Sequence, residues 1–255
     1  MKFAPSFIGG CGRSGTTLLV DLLGLHPQLS PIYETDFVVN MPLICFDPEI
    51  EMSELVRFAD RWSIDLPYRP HSKRDYEKYY HGPHHVLFTR EEMLLETAKL
   101  IDQLQQGVVV ECCFAQLIEN LFTAHCNYDS KPYWINKTPI YVLHLEFLMR
   151  LFPDMRFVHV VRNGLNVAKS IVTRPWGPDT LEQALAYHEE HVASGRAWGK
   201  SNPQQYREVE YEKLVTLPEQ EIAGVLEWLG LDPKLFPFER IEIRRSPTSE
   251  NDRLT

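Results

Sequence analysis

A short apolar segment that runs into four closely spaced glycines is the feature that most constrains this chain. Phe7–Leu19 reads FIGGCGRSGTTLL, an apolar strand followed by a glycine-rich loop and the start of a helix. Glycine tolerates backbone angles that other residues avoid, so such a loop can turn its N–H groups inward around an anion. The helix that opens near Gly15 adds unpaired N–H groups and the positive end of its dipole. The predicted anion cradle consists of Gly12, Arg13, Ser14, Gly15, Thr16 and Thr17.

The spacing of this loop resembles that of nucleotide-binding loops but departs from it at one position. In the pattern G-x-x-x-x-G-K-[ST], Thr16 stands where the lysine belongs, and the cation has moved three residues earlier, to Arg13. A kinase or ATPase also needs a carboxylate after a second strand to hold Mg²⁺. The run Val108–Val110 ends in Glu111. A P-loop nucleotide kinase or ATPase that uses Glu111 with magnesium is therefore an alternative.

A second segment combines an arginine at a strand end with a serine about two helical turns later. Phe157–Ser170 reads FVHVVRNGLNVAKS, in which Ser170 follows Arg162 by eight residues and lies near the same face. An arginine fork and a hydroxyl suit a terminal phosphate that ATP lacks. Together, the two segments resemble the 5′-phosphosulfate loop and the 3′-phosphate motif of sulfotransferases that use 3′-phosphoadenosine 5′-phosphosulfate (PAPS).

Further segments are similar to the tyrosylprotein sulfotransferases and their bacterial relatives. Glu34 falls where that subfamily places its catalytic base. Asn136–Pro139 (NKTP) is similar to its N-K-x-P segment, whose lysine, here Lys137, assists transfer. The matched segments span Phe7 to Leu214, but we expect no membrane anchor, and the chain is shorter than the Golgi enzymes. The resemblance therefore implies the donor chemistry more strongly than a protein-tyrosine acceptor. It also implies cofactor contacts from Arg162, Ser170, Arg174 and Tyr211.

The resemblance implies in-line transfer of a sulfuryl group from PAPS to a hydroxyl or phenol of a small molecule or peptide. Glu34 would take the proton of the acceptor, and His26 is the next candidate for this role. Arg13 and Lys137 would stabilise charge on the sulfuryl and leaving oxygens. Since a sulfuryl group carries less negative charge than a terminal phosphoryl, these cations could replace Mg²⁺, and we expect no metal. A nucleotide-binding module without catalysis is a further alternative.

The composition is that of one soluble enzyme domain. The 255 residues are 44% hydrophobic and 24% charged, and the net charge of −9 argues against general nucleic-acid binding. No apolar run approaches the roughly 20 residues of a membrane span. The first apolar strand begins so early that we expect no signal peptide. The five cysteines, at positions 11, 45, 112, 113 and 126, form no secreted framework, so we expect reduced thiols and a cytoplasmic protein.

The alternation of apolar runs with helical periodicity favours a three-layer α/β fold of the P-loop type, with a central parallel sheet flanked by helices. We predict one sulfotransferase domain over residues 1–243, an acceptor-side loop or lid at 65–85, and a polar C-terminal tail at 244–255. The predicted strands are Ser6–Gly9, Gln28–Ile32, Gly107–Glu111, Pro132–Ile135, Arg156–Val161 and Arg207–Glu210. The predicted helices are Gly15–Leu25, Arg90–Gln105, Phe114–His125, Pro139–Phe152, Gly164–Thr173, Thr180–Lys200 and Pro218–Leu229.

Three further features invite a functional interpretation. His188-Glu-Glu-His191 differs from the zinc-protease pattern, in which the histidines are four residues apart rather than three. A third ligand is not evident, so we expect a polar helix face there. Cys11 lies within the anion loop, but we identify no base beside it and do not expect a nucleophile. Trp176 is either a wall of the adenosine or acceptor pocket or a packed core residue.

Overall fold

A parallel sheet organises the part of the chain that the computed structural model describes, residues 3–46, 52–64 and 87–241. Within these residues, its strands are β1 (Ser6–Gly9), β2 (Leu29–Tyr33), β3 (Tyr133–Lys137), β4 (Arg156–Val161) and β5 (Tyr206–Glu210). Their order across the sheet is β2-β3-β1-β4-β5, and every pairing is parallel. The predicted lid at 65–85 and the tail at 244–255 lie outside the described residues.

Helices flank this sheet and confirm the predicted α/β class. The α-helices are α1 (Thr16–Leu23), α2 (Phe37–Phe46), α3 (Met52–Ile64), α4 (Arg90–Gln105), α5 (Val110–Asp129), α6 (Leu145–Leu151), α7 (Gly164–Ile171), α8 (Leu181–Ser201), α9 (Tyr211–Thr216) and α10 (Pro218–Leu229). Short 3₁₀ turns span Pro139–Leu143, Pro233–Leu235 and Phe238–Arg240. Among the described helices, none has the length and apolar character that crossing a membrane requires.

The two main cores lie on opposite faces of the sheet, because successive strand residues point to opposite faces. Phe7 and Phe157, paired between β1 and β4, join one core with side chains of α2–α6 and α8. Ile8 and Val158, one residue further along, join the other core with α1 and α10. All four side chains are fully buried. Since both faces are covered by helices, a ligand is best accommodated at the ends of the strands, where the loops lie.

The strand order opens a crevice at the carboxyl ends of β1 and β4. From β1 the chain passes beyond β3 to reach β2, whereas from β4 it continues to the adjacent β5 on the other side. The connections therefore leave two neighbouring strands in opposite directions. Such a switch point is where open α/β sheets bind their ligands. The loop after Gly9 and the turn after Val161 both lie there.

The predicted strand Gly107–Glu111 is wrong. Gly107 has φ +80° just after α4, and α5 already begins at Val110. Val108 and Val109 are exposed, and none of the strand pairings among the described residues includes this run. Glu111 lies in the first turn of α5, with its Oε1 3.8 Å from Arg150 Nη1. No strand delivers this carboxylate to the sheet edge, and the kinase or ATPase alternative loses its basis.

Other differences concern boundaries and elements that local patterns did not indicate. The predicted helix Pro139–Phe152 divides into a 3₁₀ turn and α6, because His144 leaves the helical region with φ −124° and ψ 23°. Helices α2, α3 and α9 were not predicted, and α2 contains Pro42 within an almost wholly apolar segment. The strand predicted at Pro132–Ile135 extends to Lys137. This extension places Lys137 at the carboxyl end of β3.

Candidate active site

The loop between β1 and α1 is pressed closely against its neighbours. Gly10 has φ +149°, and a Cβ atom there would lie 2.4 Å from the carbonyl oxygen of Val160. Gly15, which caps α1, has φ +97°, and a Cβ atom there would lie 2.3 Å from Cδ2 of Tyr211. Side chains are therefore excluded at both positions, and the loop backbone lies tight against β4 and α9.

Two buried polar atoms at this loop have no hydrogen-bond partner among the described residues, Ser14 Oγ and Arg162 Nε. Arg162 is nonetheless held in place, because its Nη1 donates to the Arg13 carbonyl at 3.2 Å. Its guanidinium also lies 4.2 Å from the centre of the Tyr211 ring. Buried polar groups are nearly always satisfied, so these atoms indicate a polar ligand. A glycine-lined loop with a hydroxyl and a guanidinium suits an anion.

The structure brings the two sequence motifs into direct contact. Arg13 Nε donates to Ser170 Oγ at 3.2 Å, although the two residues are 157 positions apart. Ser170 lies in the last turn of α7, and Arg174 lies in the turn that follows this helix. Thr16 and Thr17 begin α1, where helical N–H groups are unpaired. Three of the predicted donor-binding residues outside the loop, Arg162, Ser170 and Tyr211, thus contact the loop between β1 and α1.

Glu34 and Lys137 form an ion pair at the same edge of the sheet. Lys137 Nζ contacts Glu34 Oε1, and the lysine side chain is fully buried while the glutamate side chain is 23% exposed. The backbone N–H of Glu34 donates to the Lys137 carbonyl at 2.8 Å. Because Ile8 of β1 pairs with Lys137 of β3, the ion pair lies beside the strand that enters the cradle. The carboxylate therefore has access to solvent next to an anion site.

Two side chains outside the predicted site, those of His188 and Glu212, hold the turn that carries Arg162. His188 Nε2 lies 3.0 Å from the Arg162 carbonyl oxygen, and the N–H of Asn163 donates to Glu212 Oε1 at 3.0 Å. His188 and His191 are buried, whereas Glu189 and Glu190 between them are exposed, so only the glutamates lie on the predicted polar helix face. The motif packs α8 against the start of α7. Nothing in the neighbouring sequence distinguishes these packed histidines from histidines on an exposed helix face.

A buried polar network beside the ion pair was also missed. Its members come from the turn after β2, from β3 and from the 3₁₀ turn that follows it. Their hydroxyl and amide groups bond to one another rather than to solvent. Nothing in their local sequence predicts burial, because the contacts join segments about a hundred residues apart. The network consists of Thr35, Asn136, Thr138 and Tyr141.

The other residues that the sequence analysis considered for the site are packed or hydrogen-bonded within the fold. His26 is fully buried, and its two ring nitrogens hydrogen-bond to backbone groups of Asp232 and Gln28, so it is not placed to serve as a base. Burial raises the pKa of the Cys11 thiol to about 12, which keeps it neutral beneath the anion loop. A Cβ atom on Gly12 would lie 2.9 Å from Trp176 Cη2, so this ring packs against the loop. Within the described ranges, no group of three or more histidine, cysteine or acidic residues could hold a metal ion.

Comparisons with known sequences agree with this geometry. A sequence model described as the sulfotransferase family matches residues 5–234. The chain is 24% identical over 236 residues to protein-tyrosine sulfotransferase 2 of Gallus gallus. This alignment covers 88% of this chain and 50% of that protein. It is 23% identical over 168 residues to protein-tyrosine sulfotransferase 1 of Homo sapiens. This second alignment covers 66% of this chain and 34% of that protein. The chain thus spans half or less of the length of these relatives.

Solved structures share the fold at low sequence identity. The sulfotransferase domain from the Synechococcus PCC 7002 olefin synthase superposes with a TM-score of 0.57 and 17% identity, over 96% of this chain and 91% of that one. A sulfotransferase from Mycobacterium avium superposes with a TM-score of 0.54 and 15% identity, over 96% of this chain and 70% of that one. Since the family match extends over most of its residues, this chain belongs to the sulfotransferase family.

Proposed function

We propose that this protein transfers a sulfuryl group from PAPS to a hydroxyl or phenol of its acceptor. The observation that best supports this function is the pairing of an anion cradle with the Glu34–Lys137 ion pair at one edge of the sheet. Membership in the sulfotransferase family supports sulfuryl transfer. The relatives named as protein-tyrosine sulfotransferases support a hydroxyl or phenol as the acceptor group.

The chemistry of the crevice fits a donor with an anion at each end. The Gly10–Gly15 loop, with the unpartnered Ser14 hydroxyl and the start of α1, would hold the 5′-phosphosulfate. Arg162 and Ser170, with the Tyr211 ring beside the Arg162 guanidinium and with Arg174 in the turn after α7, would hold the 3′-phosphate and the nucleoside. When bound, PAPS supplies an activated sulfuryl group whose leaving oxygen belongs to the nucleotide phosphate.

The residues of the ion pair would take complementary roles. Glu34 accepts the proton of the acceptor hydroxyl as that oxygen bonds to sulfur and the bond from sulfur to the nucleotide phosphate breaks. Lys137, fixed and fully buried, stabilises the negative charge that develops on the transferred and leaving oxygens. Arg13, which reaches Ser170, adds a second cation on the donor side. The proton balance closes with a protonated Glu34, a sulfate ester and adenosine 3′,5′-bisphosphate (PAP).

Nucleotide preference tests the proposed function. PAP should stabilise the protein without magnesium, because both of its phosphates have cationic or N–H partners. At 100 times its Kd, PAP should add about 2.7 kcal/mol to the free energy of unfolding. The melting temperature should then rise by about 5–10 °C. ATP with Mg²⁺ serves as the comparison, and adenosine 5′-monophosphate as the control that lacks the 3′-phosphate. The proposal fails if ATP with Mg²⁺ raises the melting temperature and PAP does not.

Labelled PAPS then tests the acceptor class. The panel comprises phenol, a tyrosine-containing peptide, a simple alcohol and a sugar. Transfer of label to at least one hydroxyl or phenol is the expected result. Release of PAP with no labelled ester in any sample would contradict group transfer to an organic acceptor.

A further inference from the structure

The backbone at Glu34 adopts a conformation that needs support from its surroundings. Glu34 has φ +48°, in the left-handed region that residues with side chains rarely adopt outside turns. Such strain persists only where neighbouring contacts over-determine it, and it is concentrated at functional sites. The N–H of Glu34 is bound to the Lys137 carbonyl at 2.8 Å. The support on its other side comes from the next residue, Thr35.

Every polar group of Thr35 is bound by a side chain from β3, from the 3₁₀ turn after it, or from Thr138 between the two. Its N–H donates to Thr138 Oγ1 at 2.9 Å, and its carbonyl accepts from the Tyr141 hydroxyl at 2.5 Å. Its own hydroxyl lies 2.9 Å from the Tyr141 hydroxyl and accepts from Asn136 Nδ2 at 2.7 Å. Since Tyr141 has one proton and gives it to the carbonyl, the Thr35 hydroxyl is the donor toward Tyr141.

Members of the network are sequence neighbours of both residues of the ion pair. Thr35 follows Glu34 directly, while Asn136 and Thr138 flank Lys137. A bond of 3.3 Å from the Thr138 hydroxyl to Asn136 Oδ1 closes the circuit. Thr35, Asn136 and Tyr141 are fully buried, and Thr138 is 2% exposed, so water does not compete for these bonds. In such an environment, satisfied polar networks rigidify the structure around them.

Tyr141 is the member of this network that is best fixed. Its ring packs edge-on against Phe7 of β1, with the ring centres 5.8 Å apart. Burial raises the pKa of its hydroxyl, which therefore remains a donor throughout the working pH range. A single hydroxyl on a locked ring thus bonds both the carbonyl and the hydroxyl of Thr35. Its removal would take away two of the bonds that hold Thr35, the residue that follows Glu34.

We propose that Tyr141 is a positioning residue for sulfuryl transfer, whose hydroxyl holds the Glu34–Thr35 turn so that the Glu34 carboxylate stays aligned with Lys137 beside the cradle. The inference rests on the proposed function, in which Glu34 is the base. Tyr141 acts through Thr35 and need not touch either substrate. Its loss should therefore change turnover and leave donor affinity intact.

Tyr141→Phe tests the inference because it keeps the ring and removes the hydroxyl. With labelled PAPS, and with phenol as the acceptor, kcat should fall by about 10- to 100-fold, since a misplacement of about 1 Å can cost that much. The Kd of PAP should change by less than about twofold. Tyr206→Phe is the matched control, because it removes another partly buried hydroxyl that bonds to His159 at 2.6 Å, at the amino end of β5. Its kcat should remain near that of the wild type.

Two further measurements separate positioning from a general loss of stability. Thr35→Val removes the hydroxyl and should lower kcat as Tyr141→Phe does, whereas Thr35→Ser keeps it and should restore turnover. Amide hydrogen exchange reports the turn without any acceptor. The N–H groups of Glu34 and Thr35 are bonded in the wild type and should exchange faster in Tyr141→Phe. Exchange within the loop 10–15 should not change.

The outcomes distinguish this inference from the proposed function. Normal kcat in Tyr141→Phe, beside a Glu34→Gln variant that has lost turnover, would overturn the inference and leave the proposed function standing. A loss of kcat without faster exchange at Glu34 and Thr35 would also overturn it, because the effect would then arise elsewhere. If Glu34→Gln keeps normal turnover, the proposed base is wrong, and the role of Tyr141 falls with it.

Discussion

At the scale of single residues, the two members of the ion pair differ in their exposure to water. Lys137 is fully buried, and a buried ammonium is costly to leave without a counter-charge. Glu34 keeps 23% of its side chain exposed. The carboxylate is therefore the member that an incoming hydroxyl can reach from solvent, while the lysine is a fixed cation behind it. This asymmetry supports the proposed roles, in which Glu34 accepts the proton and Lys137 stabilises charge.

Glu34→Gln tests the assignment of the base. The neutral amide cannot accept a proton, so kcat should fall by roughly 10²- to 10⁴-fold. The Kd of PAP should stay nearly unchanged, because in the proposed function this side chain contacts the acceptor rather than the nucleotide. Steady-state kinetics and a PAP binding isotherm on the same preparation provide the measurement. Glu189→Gln, at an exposed position of α8, is the control. A variant with near-normal turnover would refute the role.

Arg162→Ala tests the 3′-phosphate site. Loss of the charge-assisted bonds should weaken PAP by roughly 10- to 100-fold. Adenosine 5′-phosphosulfate, which has no 3′-phosphate, should lose far less affinity. Calorimetric titration of both nucleotides makes the comparison, and Arg150→Ala, a mostly exposed arginine on α6, is the control. Equal losses for the two nucleotides would mean that Arg162 acts by supporting the Arg13 backbone, to which it also bonds.

At the scale of elements, the loop between β1 and α1 depends on the neighbours that press against it. Gly10 meets the backbone of β4, and Gly15 meets the first residue of α9. Tyr211 also lies under the Arg162 guanidinium. One aromatic ring therefore contacts both the loop between β1 and α1 and the arginine of the second motif. The position of α9 couples the two ends of the proposed donor site.

Gly15→Ala tests this packing. The methyl group would combine an unfavourable φ of +97° with a contact of 2.3 Å to the Tyr211 ring. We expect a loss of about 2–4 kcal/mol in the free energy of unfolding, together with weaker PAP binding. Gly107→Ala is a matched control, because it has φ +80° and nothing within 4 Å of the added atom. It should cost only about 1–2 kcal/mol and leave PAP binding unchanged. If urea unfolding shows the same loss of stability for Gly15→Ala and Gly107→Ala, the contact with Tyr211 does not contribute.

At the scale of the whole molecule, buried histidines link stability to pH. Burial lowers the pKa of His159 to about 4, and its Nδ1 hydrogen-bonds with the Tyr206 hydroxyl at 2.6 Å. Burial also lowers the pKa values of His26, His144 and His191. The unfolded chain binds protons on these groups near pH 6.5, so it takes up more protons than the folded chain below that pH. The stabilisation that these neutral histidines provide is therefore complete above about pH 6.5 and is lost as the pH falls toward 4.

His159→Asn measures the largest of these contributions. Asparagine can replace Nδ1 as the partner of Tyr206 but does not titrate. In the wild type, His159 alone should lower the free energy of unfolding by about 2 kcal/mol between pH 7 and pH 5. Urea unfolding at the two pH values should show a smaller decrease for the variant, whatever its stability at pH 7. The same decrease in both proteins would place the proton uptake on other groups.

The sequence alone was sufficient where structure follows from neighbouring residues. The bounds predicted for Ser6–Gly9, Arg156–Val161, Arg90–Gln105 and Pro218–Leu229 are confirmed. Local capping interactions explain where two of these helices begin. Thr89 and Glu92 form a capping box at the start of α4, and Pro218 occupies the first turn of α10. Glycine spacing likewise predicted the loop, because backbone freedom is a local property.

Only the tertiary structure decided which polar groups would be buried together. Val108–Val110 has strand propensity, but a strand also needs a partner edge and a buried face, and without them the helix α5 begins at Val110. The bonds of Thr35 to Tyr141 and the ion pair of Glu34 with Lys137 join residues about a hundred positions apart. Their energies depend on the low dielectric and the fixed distances of the folded interior, which short-range sequence patterns do not encode.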